Sequence, residues 1–244
     1  MGRVRFQPVQ CPDGRNGWII ERVPTSVSEA IGWLKNSQRH RQAWEYLIKT
    51  LSPKPLHLLL KQYESDPATA WAYNYIGMYK IKTLAFICEH CVLSESASPT
   101  TRAAALLALC QLTDRLDTLK DLCFEWVEKE CVHQRLAAAT VLCKMRIRKG
   151  WDVLCCYLEE ITSRSRDYYT CLVGGSYIMY ILKNYLYNFT CTFKFASKII
   201  NWINKTKYLC RNKNGSYRYI SQELMDYFLR NQLESFAAKL RQLR

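Results

Sequence analysis

An all-α fold, a right-handed stack of antiparallel helical hairpins behind a short irregular N-terminal arm, is what this sequence predicts. Three observations lead there. The first is an internal match at an offset of 33 residues, in which Arg102-Ala103-Ala104-Ala105-Leu106-Leu107-Ala108-Leu109-Cys110-Gln111-Leu112 returns as Arg135-Leu136-Ala137-Ala138-Ala139-Thr140-Val141-Leu142-Cys143-Lys144-Met145. Arginine falls on arginine, small residues on small ones and Cys110 on Cys143, so what recurs is the packing surface of a helix. A period of this length marks helical hairpins, each unable to bury its apolar face until a neighbour covers it. The second is a helix-start signal that occurs twice, 32 residues apart: Asp66-Pro67-Ala68-Thr69 and Ser98-Pro99-Thr100-Thr101. In each, a capping side chain precedes a first-turn proline. The third is composition: 9 Gly and 7 Pro beside 49% hydrophobic residues disfavour a disordered chain or a many-turned β domain.

Residues 1–25 form the N-terminal arm, broken by Pro8, Pro12-Asp13-Gly14, Asn16-Gly17 and Pro24, with one short strand or extended stretch at Gly17-Trp18-Ile19-Ile20. Ser26-Val27-Ser28-Glu29 is a capping box that opens a helix at about 27–36, and a second helix follows at about 39–51. Ser52-Pro53-Lys54-Pro55 ends that helix and starts the next, with Leu56, Leu59, Leu60 and Tyr63 on one face. Three repeat units then begin near 66, 98 and 131, each with two helices: about 67–79 with 82–93, 99–112 with 116–129, and 133–148 with 151–162. Residues 26–162 thus make up the repeat region. An arginine followed by Ala-Ala and spaced leucines resembles HEAT or armadillo-type repeats over about half of the chain. That resemblance implies a structural role for Arg102 and Arg135, near a helix start and bonded to the adjacent repeat. Trp44, Trp71 and Trp126, on helical segments, are read as core.

Residues 163–244 form a basic, Tyr-rich helical part packed on the same solenoid. Ten of the sixteen tyrosines fall in 161–244. Cys171 to Leu182 is apolar for about a dozen residues, too short for a spanning helix and suited to the most buried helix of the domain. Another helix is expected at about 192–205. A final amphipathic one at about 222–242 carries Leu224, Phe228, Leu233, Phe236, Leu240 and Leu243 at three- and four-residue steps.

The net charge of +14 is uneven: residues 161–244 carry 14 Lys or Arg against 4 Asp or Glu, whereas residues 41–160 carry 15 against 14. Such asymmetry points to an acidic partner: nucleic acid, an anionic membrane surface or an acidic protein face. The start Met1–Pro8 lacks the apolar core of a signal peptide, so the 12 cysteines are read as reduced thiols in cytoplasm or nucleus rather than a secreted disulfide scaffold. On that reading the acceptor-like triplets at Asn188, Asn204 and Asn214 are coincidental.

Two constellations carry possible chemistry. Cys88 and Cys91, a C-x2-C pair, with Cys131 and His133 supply the four soft ligands zinc favours, and in the repeat register they fall at corresponding turns of adjacent hairpins. The alternative is that Cys88 is core and the histidines face solvent; zinc is the sole cofactor implied. The second constellation is the segment Lys205, Lys207, Tyr208, Arg211, Lys213, Tyr217, Arg218 and Tyr219, where cations neutralise phosphates and tyrosine rings stack on unpaired bases. Phosphate loops, dinucleotide fingerprints, nucleophile elbows, H-E-x-x-H and deaminase signatures do not occur in this sequence.

The function these readings predict is a non-enzymatic helical-repeat adaptor that binds a protein partner. Its basic C-terminal third contacts RNA, DNA or an acidic surface, a description that a viral accessory protein fits. The alternatives are a nucleic-acid-binding protein proper and a HEAT-like DNA glycosylase, which needs a carboxylate facing a basic groove.

Overall fold

The computed structural model describes residues 3–10, 16–35, 39–113 and 116–164, together with positions 178, 181, 198, 201 and 202. These residues are mostly helical. The chain divides into two compact units, Met1–Val141 and Leu142–Arg244.

The N-terminal arm differs from the irregular segment that its turn residues predict. Strands β1 (Arg3–Gln10) and β2 (Asn16–Val23) pair antiparallel, with Phe6 opposite Ile20 and Pro8 opposite Trp18, and β2 lies against α2 (His40–Thr50). A lone strand at Gly17–Ile20 would leave its amides and carbonyls unpaired, and a second strand closes that ladder. Alternating Val4 and Phe6 was the available signal in the sequence.

Local side-chain chemistry sets the helix starts. Before α1 (Val27–Trp33), Ser26 Oγ accepts the Glu29 N–H at 3.1 Å. The Glu29 carboxylate reaches one residue further back than a capping box requires, accepting from the Thr25 N–H at 2.8 Å and the Thr25 hydroxyl at 2.7 Å. Those bonds hold the Glu29 carboxyl below its usual range. Prolines open α3 (Pro53–Gln62) and α6 (Pro99–Leu112), as expected where an amide would go unused. Single 3₁₀ turns lead into α4 (Ala70–Met78), α5 (Ala85–Leu93) and α7 (Lys120–Trp126).

The two start signals are bonded to each other. Asp66 accepts the Ala68 N–H at 2.8 Å, Ser98 accepts the Thr101 N–H at 3.1 Å, and the Thr101 hydroxyl donates to the Asp66 carbonyl at 3.0 Å. The Ser98 N–H meets the Glu64 carbonyl at 2.9 Å. Helix α2 packs on α1 and α4, and α6 packs on both α4 and α5. The unit centres on α6, buried without a break from Ala103 to Cys110. Trp44, Leu47, Leu56, Leu60, Tyr73, Ile76, Ile87 and Trp126 complete its interior.

A second repeat signal emerges on the partner helices. Thr83-Leu84, Cys88 and Val92 match Thr118-Leu119, Cys123 and Val127 at an offset of 35 residues, and Leu84, Cys88, Val92, Leu119, Cys123 and Val127 are all buried. Both copies begin inside a 3₁₀ turn, Lys82–Leu84 and Asp117–Leu119.

Helix α8 (Val132–Lys144) crosses the boundary between the two units, and α9 (Arg148–Arg164) belongs to the second. In that unit Trp151, Leu154, Cys155, Leu158 and Ile161 of α9 are buried, as are Ile178, Ile181 and Trp202. Lys198 forms an ion pair with Glu159 at 2.7 Å. Of the Cys171–Leu182 stretch the described residues are Ile178 and Ile181, both helical and buried; the expected helix at 222–242 lies outside the described residues. Among the described residues no helix is long and apolar enough to cross a membrane.

Helices α4 and α8 end alike. Lys80 (φ 50°) and Arg146 (φ 61°) are left-handed, and the amides of Ile81 and Ile147 reach back to the carbonyls of Ile76 and Leu142 at 3.1 and 2.8 Å. This is the Schellman closure, which glycine fills at lower cost than a residue with a Cβ. Lys80→Gly is therefore expected to raise stability by about 0.5–1 kcal/mol, read as a higher thermal or urea midpoint. An unchanged or lowered midpoint would show that the lysine side chain outweighs the relieved strain.

Candidate functional site

The residues singled out for zinc are set apart by their burial. Cys88 and Cys91 lie in α5 with both thiols sealed from solvent. Burial pushes the Cys88 thiol far up and the Cys91 thiol up to about 11, the latter hydrogen-bonded to the Tyr73 hydroxyl. Cys131 is half-buried and His133 exposed at the start of α8. Among the described residues, no three His, Cys, Asp or Glu side chains stand close enough together to hold a metal ion.

Arg102 lies in the first turns of α6, with its Nε donating to the Val92 carbonyl at 3.0 Å in the last turn of α5. Its guanidinium carbon lies 5.0 Å from the centroid of the Trp126 ring on α7. Arg135 occupies the equivalent fourth position of α8 and is half-buried. Lys205, Lys207, Tyr208, Arg211, Lys213, Tyr217, Arg218 and Tyr219 lie outside the described residues.

The arrangement with most chemical character is one that periodicity did not single out. Helix α2 carries Arg41, Glu45 and Lys49 at four-residue steps; α4 and its C-cap carry Trp71, Tyr75 and Tyr79 at the same steps. Residues four apart share a helix face, so two matched stripes meet across the α2–α4 contact. The Arg41 guanidinium lies 5.6 Å from the Trp71 ring centroid, and its Nε donates to the Tyr75 hydroxyl at 3.1 Å. Lys49 Nζ sits 4.7 Å from the Tyr79 ring centroid and 2.7 Å from Glu45 Oε1. That same carboxylate oxygen accepts from the Tyr79 hydroxyl at 2.9 Å. The rings also follow one another, with centroids 6.4 Å apart from Trp71 to Tyr75 and 5.7 Å apart from Tyr75 to Tyr79, the second pair stacked.

Electrostatics keep this lattice in one protonation state near neutral pH. Burial pushes the Tyr75 and Tyr79 phenols up, partly offset by Arg41 and Lys49, and the hydrogen bond to Glu45 raises Lys49. Both phenols are therefore neutral and the lysine charged.

Trp71 corrects an expectation. Trp44 and Trp126 are core as predicted, each 1% exposed, but Trp71 is 42% exposed. Tyr79 is 36% and Met78 55% exposed on the same helix, whereas Tyr75 between the two outer rings is only 5% exposed. Helical spacing marks such a stripe as apolar; it does not say whether a neighbour covers it.

No family model, curated protein or solved structure matches the chain. Its function is read from this geometry and from the sequence.

Proposed function

We propose that this chain is a non-enzymatic helical-repeat adaptor of HEAT-like, right-handed hairpin stacking, acting in cytoplasm or nucleus, whose α2/α4 face docks a protein partner. The observation that carries the proposal is the exposed Trp71–Tyr79 stripe, held in place by Arg41, Glu45 and Lys49. Aromatic side chains fixed at a surface offer large contact area at little further entropic cost, the profile of interface anchors. The stacking is supported by the packing of α2 on α4 and of α4 on α6, by the bonded start signals, and by matched closures at Lys80 and Arg146, 66 residues or two periods apart. The basic, Tyr-rich C-terminal third adds a contact to nucleic acid or to an acidic protein surface, on the charge asymmetry of residues 161–244.

Two measurements test this. A photo-crosslinking amino acid placed at position 71 or 79, and at exposed Lys61 as control, is irradiated in cell extract. Nuclease-resistant protein adducts are expected at 71 and 79 and not at 61. Adducts to RNA alone, or none, would overturn the docking reading. For the basic third, binding of single-stranded RNA and duplex DNA is followed across a salt series. Steep salt dependence, lost on charge reversal at Lys205, Lys207, Arg211 and Lys213, is expected if phosphates are the ligand. Binding that ignores both salt and reversal assigns the contact elsewhere.

A further inference from the structure

We infer that the α2/α4 face takes a proline-rich segment of its partner in the polyproline II conformation, with acidic residues flanking the prolines. The inference rests on the docking role proposed for this face and names the ligand chemistry that suits it.

Geometry is the first reason. Centroid steps of 6.4 and 5.7 Å put Trp71 and Tyr79 no more than about 12 Å apart, with the nearly buried Tyr75 between them as the low point of the row. A polyproline II helix repeats every three residues at about 3.1 Å per residue, so the two prolines of a P-x-x-P segment lie about 9 Å apart on one side. Such a pair fits between the two outer rings and over the inner one.

Hydrogen-bonding capacity is the second. Among the described residues the Trp71 indole N–H has no hydrogen-bond acceptor, and the residue is 42% exposed. The Glu45 carboxylate, by contrast, is engaged by Lys49 and Tyr79. The face thus presents an unused donor, and its complement is a chain with open carbonyls and few amides. Proline supplies a carbonyl without an N–H, and a polyproline II segment has no internal hydrogen bonds. An α-helical partner has already spent its carbonyls on its own amides.

The ring faces decide against nucleobases. Arg41 lies over Trp71, Lys49 over Tyr79, and Tyr79 stacks on Tyr75. Bases need open faces on which to stack, whereas the prolines of a P-x-x-P segment dock in grooves lined by aromatic side chains. The charges set the flanks: Arg41, Lys49 and exposed Lys80 outnumber Glu45, and like-signed residues beside the prolines would be repelled.

The test uses the full chain and a fluorescent ten-residue peptide bearing one P-x-x-P core with two glutamates at each end. Fluorescence anisotropy should report saturable binding. Trp71→Ala and Tyr79→Ala should each weaken it at least tenfold, Trp71→Phe by a few-fold through loss of the N–H, and Lys61→Ala not at all. Both aromatic positions are exposed, so an unchanged thermal midpoint certifies that the variants fold. Replacing both prolines by alanine should abolish binding. The inference is overturned if the alanine peptide binds equally, if binding survives Trp71→Ala, if no binding occurs at millimolar peptide, or if single-stranded RNA rather than the peptide binds in a Trp71-dependent way. Protein adducts at position 71 with no peptide binding would remove the polyproline inference and leave the docking role; absence of both removes both.

Discussion

Gly77→Ala is expected to cost the Met1–Val141 unit about 1–2 kcal/mol even though alanine is the better helix former. Gly77 sits on α4 where that helix meets α6. A Cβ there would lie 3.0 Å from Ala108 Cα, 3.2 Å from Gln111 Oε1 and 3.3 Å from Ala108 Cβ. The glutamine can swing aside, but Ala108 Cα is backbone in the middle of the most buried helix of the unit, so α4 and α6 must part. Overpacking of this kind costs about 1–3 kcal/mol, against the roughly 0.5–1 kcal/mol gained by replacing an interior helical glycine, and the clash wins. Gly32 in α1 supplies the contrast, because nothing lies within 4 Å of its added Cβ. Gly32→Ala should stabilise by about 0.5–1 kcal/mol. Urea unfolding of the two variants is the measurement, and a stabilised Gly77→Ala would mean that α4 and α6 have room between them.

Trp126→Ala should be the more damaging change, about 3–5 kcal/mol, a large part of the total stability of an ordinary domain. The ring is 1% exposed on α7 and lies beneath the Arg102 guanidinium, which also donates to the Val92 carbonyl on α5. Removing the indole leaves a cavity and strips Arg102 of its aromatic partner. Arg102→Ala should cost less, about 1–3 kcal/mol, through one charged hydrogen bond and one cation–π contact. Because the two side chains touch, the double variant should lose less than the sum of the singles. Strict additivity in denaturant melts would show that Arg102 and Trp126 act independently and that the bridge from α5 through α6 to α7 is only geometric.

Helix positions were legible because the signals that set them act over two to four residues. Ser26, Asp66 and Ser98 each bond an amide within three positions, so the same three side chains start a helix in any context that lets the chain turn. The offset-35 match from Thr83–Val92 to Thr118–Val127 was equally present in the sequence. The candidate site was much less legible. Arg41 reaches Tyr75 across 34 residues, as Glu45 reaches Tyr79, and neither spacing is a local pattern. Cys88 and Cys91 carry a ligand-like spacing, and it is tertiary packing that buries both of them.

Taken alone, the sequence determined that the described residues are mostly helical, where several of the helices start, and that α6 would be lined with small and aliphatic residues, since propensity, capping and periodicity are properties of neighbouring residues. Tertiary structure decided which apolar stripes are covered. It buried Trp44 and Trp126, left Trp71 and Tyr79 at the surface, paired the N-terminal strands, and set α4 and α6 close enough to require glycine at position 77. The reason is that periodicity defines a face, whereas only the approach of another element determines whether water is excluded from it.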